Sequence, residues 1–144
     1  MKDRSEINIG LMGLGIVGGG VAQRLLSDKA QISNKTGKAL NLSRVMVRDM
    51  NKPRDVQVAP NIITNNPEDI LSDPDIDIVV EVIGGTDPAK RLLVDALSRG
   101  KHVVTANKEV VAKYGPELHR VATENHVSLL YEASVCGAIP ILGV

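Results

Sequence analysis

Phenylalanine and tryptophan are absent from the 144 residues, and only two tyrosines remain. The core must therefore be built from Ile, Val, Leu and Ala, and no platform of aromatic rings is available for stacking nucleic-acid bases. Charge of one sign is not in excess either: 17 basic side chains face 17 acidic ones. Nothing in that balance points to a nucleic-acid binder or to a protein seated on an anionic membrane face. A single cysteine, Cys136, excludes an internal disulfide and suits a reducing cytoplasm. Targeting signals, internal repeats and low-complexity segments are lacking. The stretch 7–22 carries no charge, but its six glycines weaken any membrane-spanning helix. The flank Lys2-Asp3-Arg4-Ser5-Glu6 is mixed in sign, unlike the basic start of a signal peptide. The length suits one domain with a real core.

What the chain does have is glycine in a pattern. Gly13, Gly15 and Gly18 stand at G-x-G-x-x-G spacing in Met12-Gly13-Leu14-Gly15-Ile16-Val17-Gly18. An apolar run, Ile7 to Met12, precedes them, and Val17, Val21 and Leu25 follow at helical spacing. Strand, tight turn and helix in that order make the motif a dinucleotide-binding signal rather than an ordinary turn. Gly13 permits the tight turn, Gly15 lets a diphosphate approach the backbone, and Gly18 lets the helix lie close on the strand. The first helical N–H groups have no partner within the helix and carry partial positive charge, so Gly13 to Gly18 forms a backbone cradle for phosphate.

The rest of the chain alternates strand and helix signals. The first helix is expected from Ile16 to Lys29, a surface loop from Gln31 to Lys38, and the second strand from Ala39 to Arg48. Asn51-Lys52-Pro53-Arg54 ends it in a turn. Ile62 and Ile63 make a short strand at most. Asn66 then caps a helix with Pro67 at its first position. Ile76 to Ile83 is nearly unbroken in apolar residues, as a parallel strand covered on both faces should be. Gly84-Gly85 closes it. Thr86 or Asp87 is expected to cap the next helix with Pro88 just inside. Leu92, Leu93, Ala96 and Leu97 face the sheet and Gly100 stops that helix. His102 to Thr105 is the next strand, Glu109 to Glu124 a helix broken at Gly115-Pro116, and Val127 to Tyr131 the last strand. The order specifies an α/β fold with a doubly wound parallel sheet and right-handed crossovers. Ligands bind such a sheet beyond the carboxyl ends of its strands, where the strand order reverses. The apolar end, Pro140-Ile141-Leu142-Gly143-Val144, is unlike a solvated natural terminus, and the chain is expected to be cut from a longer protein.

Four strand ends supply candidates, Gly13 to Gly18, Arg48 to Lys52, Ile83 to Asp87 and Thr105 to Lys108, and the stretch from Glu132 to Pro140 adds a last one. At the end of the second strand, Arg48 and Lys52 could bracket a 2′-phosphate, one as a planar fork and one as a point charge, while Asp49 could instead hold ribose hydroxyls. NADP is favoured there, with NAD also accepted; a solvated basic turn of Arg48, Lys52 and Arg54 is the alternative. Lys108, in Thr105-Ala106-Asn107-Lys108, could hold a substrate oxygen or the nicotinamide side of a cofactor and polarise a carbonyl. An exposed lysine at a helix start is the alternative, although a cation there opposes the helix dipole. Glu132, followed by the irregular Ala133-Ser134-Val135-Cys136-Gly137-Ala138-Ile139-Pro140, offers a carboxylate and carbonyl oxygens to a hard cation, or simply caps a turn. Cys136 has no nearby basic cluster to activate it, and His102, His119 and His126 lack metal-ligand spacing.

Together the glycine loop, Val47-Arg48-Asp49 with Lys52-Pro53-Arg54, Glu81-Val82-Ile83-Gly84-Gly85, Val104-Thr105-Ala106-Asn107-Lys108 and Glu132-Ala133-Ser134-Val135 resemble the N-terminal nucleotide-binding part of the homoserine dehydrogenase family. The resemblance covers essentially the whole chain. It implies a Rossmann-type NAD(P)-binding domain over 1–144, with 132–144 the start of a junction to a substrate and dimerisation domain. It implies NAD(P)H-dependent reduction of aspartate 4-semialdehyde to homoserine, on the way to threonine and methionine, by a cytoplasmic homodimer. By the family pattern Arg48 and Lys52 meet the 2′-phosphate and Lys108 sits by nicotinamide and substrate. The Glu132 carboxylate and the carbonyls of Val135, Gly137 and Ile139 match a sodium site. The proton-relaying residues fall beyond Val144, so the fragment is expected to bind cofactor without turnover. A nucleotide-sensing module without catalysis, or a related amino-acid dehydrogenase, are the competing readings.

Overall fold

Residues 5–134 are described by a computed structural model. Six parallel strands form one sheet in the order β3-β2-β1-β4-β5-β6. These are β1 (Glu6–Met12), β2 (Ala39–Met46), β3 (Ile63–Thr64), β4 (Ile78–Glu81), β5 (His102–Thr105) and β6 (Leu129–Leu130). Among the described residues five α-helices accompany them: α1 (Ile16–Ser27), α2 (Lys29–Thr36), α3 (Glu68–Leu71), α4 (Ala89–Ser98) and α5 (Lys108–Glu124). The order reverses between β1 and β4, which pair directly with Met12 beside Glu81.

Side chains alternate along the strands, and each face has its own core. Ile9 and Leu11 of β1 join Val45 of β2 against Ala22 and Leu25 of α1. On the other face Met12, Val79 and Val103 pack with Leu92, Leu93, Ala96 and Leu97 of α4 and Val110, Leu118 and Val121 of α5. Gly10 points to that second face, where a Cβ would meet Ile70 Cγ2 at 2.5 Å; its bare backbone lets α3 lie against β1.

The doubly wound parallel sheet agrees with the sequence reading, and several boundaries do not. The expected loop from Gln31 to Lys38 is largely helix α2, separated from α1 at Asp28 and ended by Gly37 in the left-handed region (φ 71°). No residue of α2 is buried, so no apolar period marks it in the sequence. β2 stops at Met46, two residues short of Arg48. β4 spans only Ile78–Glu81, because Ile76 is buried from a turn whose amide donates to Asp73 O (3.3 Å). Burial there runs further than the strand. The last strand likewise shrinks to Leu129–Leu130. Neither Thr86 nor Asp87 caps α4 with its side chain; Pro88 is the residue before the helix and follows a cis bond. Helix α3 starts at Glu68, one residue later than read, with Asn66 Oδ1 accepting from its amide at 3.2 Å.

Helix α5 runs unbroken through Gly115-Pro116. Proline removes one amide donor and crowds the preceding turn, a local cost. The buried Val110 on one side and Leu118, Val121 and Ala122 on the other hold both halves of the helix to the sheet.

Candidate functional site

The glycine loop lies where the strand order reverses. Gly13 follows β1 with φ 106°, and a Cβ there would stand 2.8 Å from Val82 O. Its amide donates to Met46 O at 2.9 Å, tying the turn to β2. Gly18 is buried against the carbonyl of Gly13, so helix and turn touch backbone to backbone. Gly15 differs from both: a Cβ on it would meet nothing within 4 Å. It precedes α1, whose N-terminus has no side-chain cap and no acid in its first turn. Those first-turn amides are therefore left for an anion. Leu14 is buried beneath the loop, whereas Ile16 (97% exposed) and Val17 (56%) project out of it. Two exposed apolar side chains beside an uncapped helix start describe a surface that a ligand or another part of a protein would cover.

Beyond β2 the chain turns through Arg48 to Arg54. Arg48, Asp49 and Lys52 are exposed at this turn. Asp49 Oδ1 accepts the amide of Asn51 at 2.9 Å, so one carboxylate oxygen is engaged within its own turn. Arg54, which the alternative reading places in a solvated basic turn, is half-buried. Its guanidinium donates to Lys52 O at 2.8 Å and to Asp49 O at 2.5 Å. One planar fork thus fixes the backbone that carries Arg48 and Lys52.

At the end of β4, Glu81 is completely buried. Its Oε1 accepts from Ile83 N (2.8 Å) and Asn107 Nδ2 (3.4 Å), and its Oε2 from Thr105 Oγ1 (2.5 Å). Asn107 in turn donates to Gly85 O (2.7 Å), and its Oδ1 accepts from Val110 N at 3.2 Å, capping α5. Lys108 is the first residue of that helix and is exposed. Glu81 and Asn107 were not singled out as individual site residues on sequence grounds. The available signal is a lone acid ending the otherwise apolar Ile78-Val79-Val80.

Glu132 is exposed in a 3-10 turn, Glu132–Ser134, just after β6. Its expected companions Val135, Gly137 and Ile139 lie outside the described residues, as does Cys136. Among the described residues no three His, Cys, Asp or Glu side chains gather as a metal would need. Nor, among them, is any helix long and apolar enough to cross a membrane. His102, His119 and His126 are dispersed, His119 meeting the Tyr131 hydroxyl at 3.1 Å. Among the described residues, an opening of about 780 Å³ sits at the opposite, amino end of the strands, between Glu6, Pro74, Lys101 and Asn125.

Residues 13–132 match the family described as homoserine dehydrogenase, NAD binding domain. The homoserine dehydrogenase of Bacillus subtilis is 44% identical over 136 residues, which are 94% of this chain and 31% of that protein. That of Corynebacterium glutamicum is 39% identical over 139 residues, 96% of this chain and 31% of its own length. The chain thus spans about a third of the length of the curated relatives it matches. The crystal structure of a homoserine dehydrogenase from Thiobacillus denitrificans superposes with a TM-score of 0.85 at 43% identity, covering 94% of this chain and 31% of that one. A hyperthermophilic archaeal homoserine dehydrogenase in complex with NADPH superposes at TM-score 0.74 and 27% identity, over 96% of this chain and 47% of that one.

Proposed function

Because the chain belongs to the homoserine dehydrogenase NAD-binding domain family, we propose that it is the nucleotide-binding part of an enzyme interconverting L-aspartate 4-semialdehyde and L-homoserine with NADP, NAD also being accepted. The observation that carries this reading is the difference among the three glycines. The fold fills the space beside Gly13 and Gly18, while the space beside Gly15 is open and faces the uncapped start of α1. A diphosphate fits that opening and would lose it to any side chain.

In this reading the amides of the loop from Gly13 through Leu14, Gly15, Ile16 and Val17 to Gly18 hold the diphosphate. Arg48 and Lys52 hold the 2′-phosphate on the turn that Arg54 braces. Asp49, partly engaged with Asn51, is less available for a ribose, which favours NADP over NAD. When bound, the cofactor supplies a hydride to the aldehyde carbon. Lys108, at the carboxyl end of β5, places its ammonium by the substrate oxygen and favours the negative charge that develops there. The proton for that oxygen comes from residues of a further domain, so the chain alone binds cofactor without turnover. A sodium ion at the junction is part of the same proposal. Glu132 presents an exposed carboxylate for it, and by the family pattern the carbonyls of Val135, Gly137 and Ile139 would complete an all-oxygen set suited to a hard cation. The full-length protein would be a cytoplasmic homodimer, joined through the further domain, in threonine and methionine biosynthesis.

The test is NADPH consumption by the full-length protein with aspartate 4-semialdehyde, and NADP reduction with homoserine. Turnover is expected, and Lys108→Ala should lower kcat by about a hundredfold or more while NADPH still binds, as for loss of one donor to a developing oxyanion. NADPH binding without turnover would make the protein a nucleotide sensor. Turnover confined to another amino acid would make it a different dehydrogenase.

A further inference from the structure

A buried carboxylate at the end of the central strand asks for a reason. Glu81 follows Ile78-Val79-Val80, its side chain is wholly enclosed, and an apolar residue would fill the same space without desolvating a charge. Three neutral donors meet its oxygens, from Ile83, Thr105 and Asn107. Two of the three belong to the segment that leads into α5.

Resting on the dehydrogenase reading, we propose that Glu81 is a positioning residue for Lys108. The carboxylate dictates how the Asn107 amide is turned. Asn107 Nδ2 faces two acceptors, Glu81 Oε1 and Gly85 O, so its Oδ1 must face the other way, toward Val110 N. That bond is the cap of α5, and Lys108 lies inside it as the first helical residue. Thr105 closes a second link. Its hydroxyl donates to Glu81 Oε2 and therefore has its lone pairs free to accept the Asn107 amide at 3.0 Å. Glu81 thus orients both ends of Asn107, and the backbone bond from Ala106 N to Glu81 O (3.2 Å) completes the clasp. The same amide holds the Gly84-Gly85 loop, whose two residues are both left-handed (φ 79° and 70°). One charge sets the start of the lysine-bearing helix relative to the β4 loop beside the glycine turn.

Glu81→Gln keeps the shape and breaks the polarity. Its oxygen must stay with the two N–H donors at Oε1, so its NH2 faces Thr105 Oγ1 and the hydroxyl loses its acceptor. In the full-length protein this variant should lower kcat for homoserine oxidation at least tenfold. NADPH affinity should stay within about threefold, because the glycine loop is untouched, even though the stranded Thr105 hydroxyl lowers the melting temperature. Hydrogen exchange, followed by mass spectrometry on peptides spanning 105–112, should speed up at least tenfold, with peptides of α1 unchanged. Thr105→Ser should retain near wild-type kcat and Thr105→Val should not; this pair decides the matter if the Glu81 variant does not fold. Unchanged kcat and exchange, or a parallel fall in cofactor affinity and melting temperature, overturns the positioning role. Exchange that speeds up as expected in a protein whose wild type never turns over homoserine would sink the dehydrogenase reading and leave the clasp standing.

Discussion

Gly18 lies so close to the carbonyl oxygen of Gly13 that a Cβ on Gly18 would overlap that atom. Gly15, three residues earlier, has open space where a Cβ would stand. The two glycines therefore serve different ends. Gly18→Ala must push α1 off β1, and overpacking of this kind costs about 1–3 kcal/mol. It should lower the melting temperature and weaken NADPH binding together. Gly15→Ala should leave the melting temperature near wild type and reduce NADPH affinity at least tenfold, read by fluorescence titration. Full affinity in Gly15→Ala would mean that the phosphates lie elsewhere.

The turn after β2 makes a separate prediction about cofactor choice. Arg48→Ala should weaken NADPH by about 1.5–3 kcal/mol, the range for hydrogen bonds to charged groups, and leave NADH nearly unchanged. Arg54→Ala should also lower the NADPH-to-NADH preference, although Arg54 spends its guanidinium on Lys52 O and Asp49 O. Arg54→Lys should not restore it, since one ammonium does not reproduce a planar fork across two carbonyls. Tighter NADH than NADPH binding in the wild type, unaltered by Arg48→Ala, would remove the 2′-phosphate assignment.

These residues also mark how far the sequence is legible. The glycine spacing, the apolar run into β4 and the helical spacing of Leu92, Leu93, Ala96 and Leu97 are signals of burial, and the sheet and its two covered faces follow from them. Helix α2 buries nothing, so periodicity has no purchase on it. Pro116 reads locally as a break, yet apolar anchors on both sides keep α5 whole. The site divides in the same way. Glycine and lysine positions are visible because their chemistry is local to a motif. Arg54 and Glu81 are not, because their partners are fixed by the turn and by the neighbouring strand: Glu81 meets Thr105 and Asn107 only once β4 and β5 are paired.

Far from the crevice, Lys101 precedes β5 with its side chain buried, donating to Asp73 O at 2.5 Å and Ile76 O at 2.9 Å. It closes the turn that feeds β4. Truncation to alanine strands Ile76 O and leaves Asp73 O only the Ile76 amide at 3.3 Å, and an unsatisfied buried acceptor costs about 1–3 kcal/mol, so Lys101→Ala should be clearly destabilised in urea. Burial pushes the ammonium's pKa below its ordinary 10.5, with the carboxylates of Asp73 and Asp77 opposing the shift. The sign of the pH effect follows. Between the lowered value and 10.5 the unfolded chain binds more protons at this residue than the folded one, so this group's contribution to stability rises with pH across that window. Below the window both states are charged and the burial cost is carried in full. Lys101→Met, which keeps the stem and removes the titration, should therefore lose ground to the wild type as the pH is raised from about 8 toward about 10. Urea unfolding of both proteins at the two pH values reads the difference directly. A gap that narrows with pH would show that the carboxylates, not burial, govern this lysine.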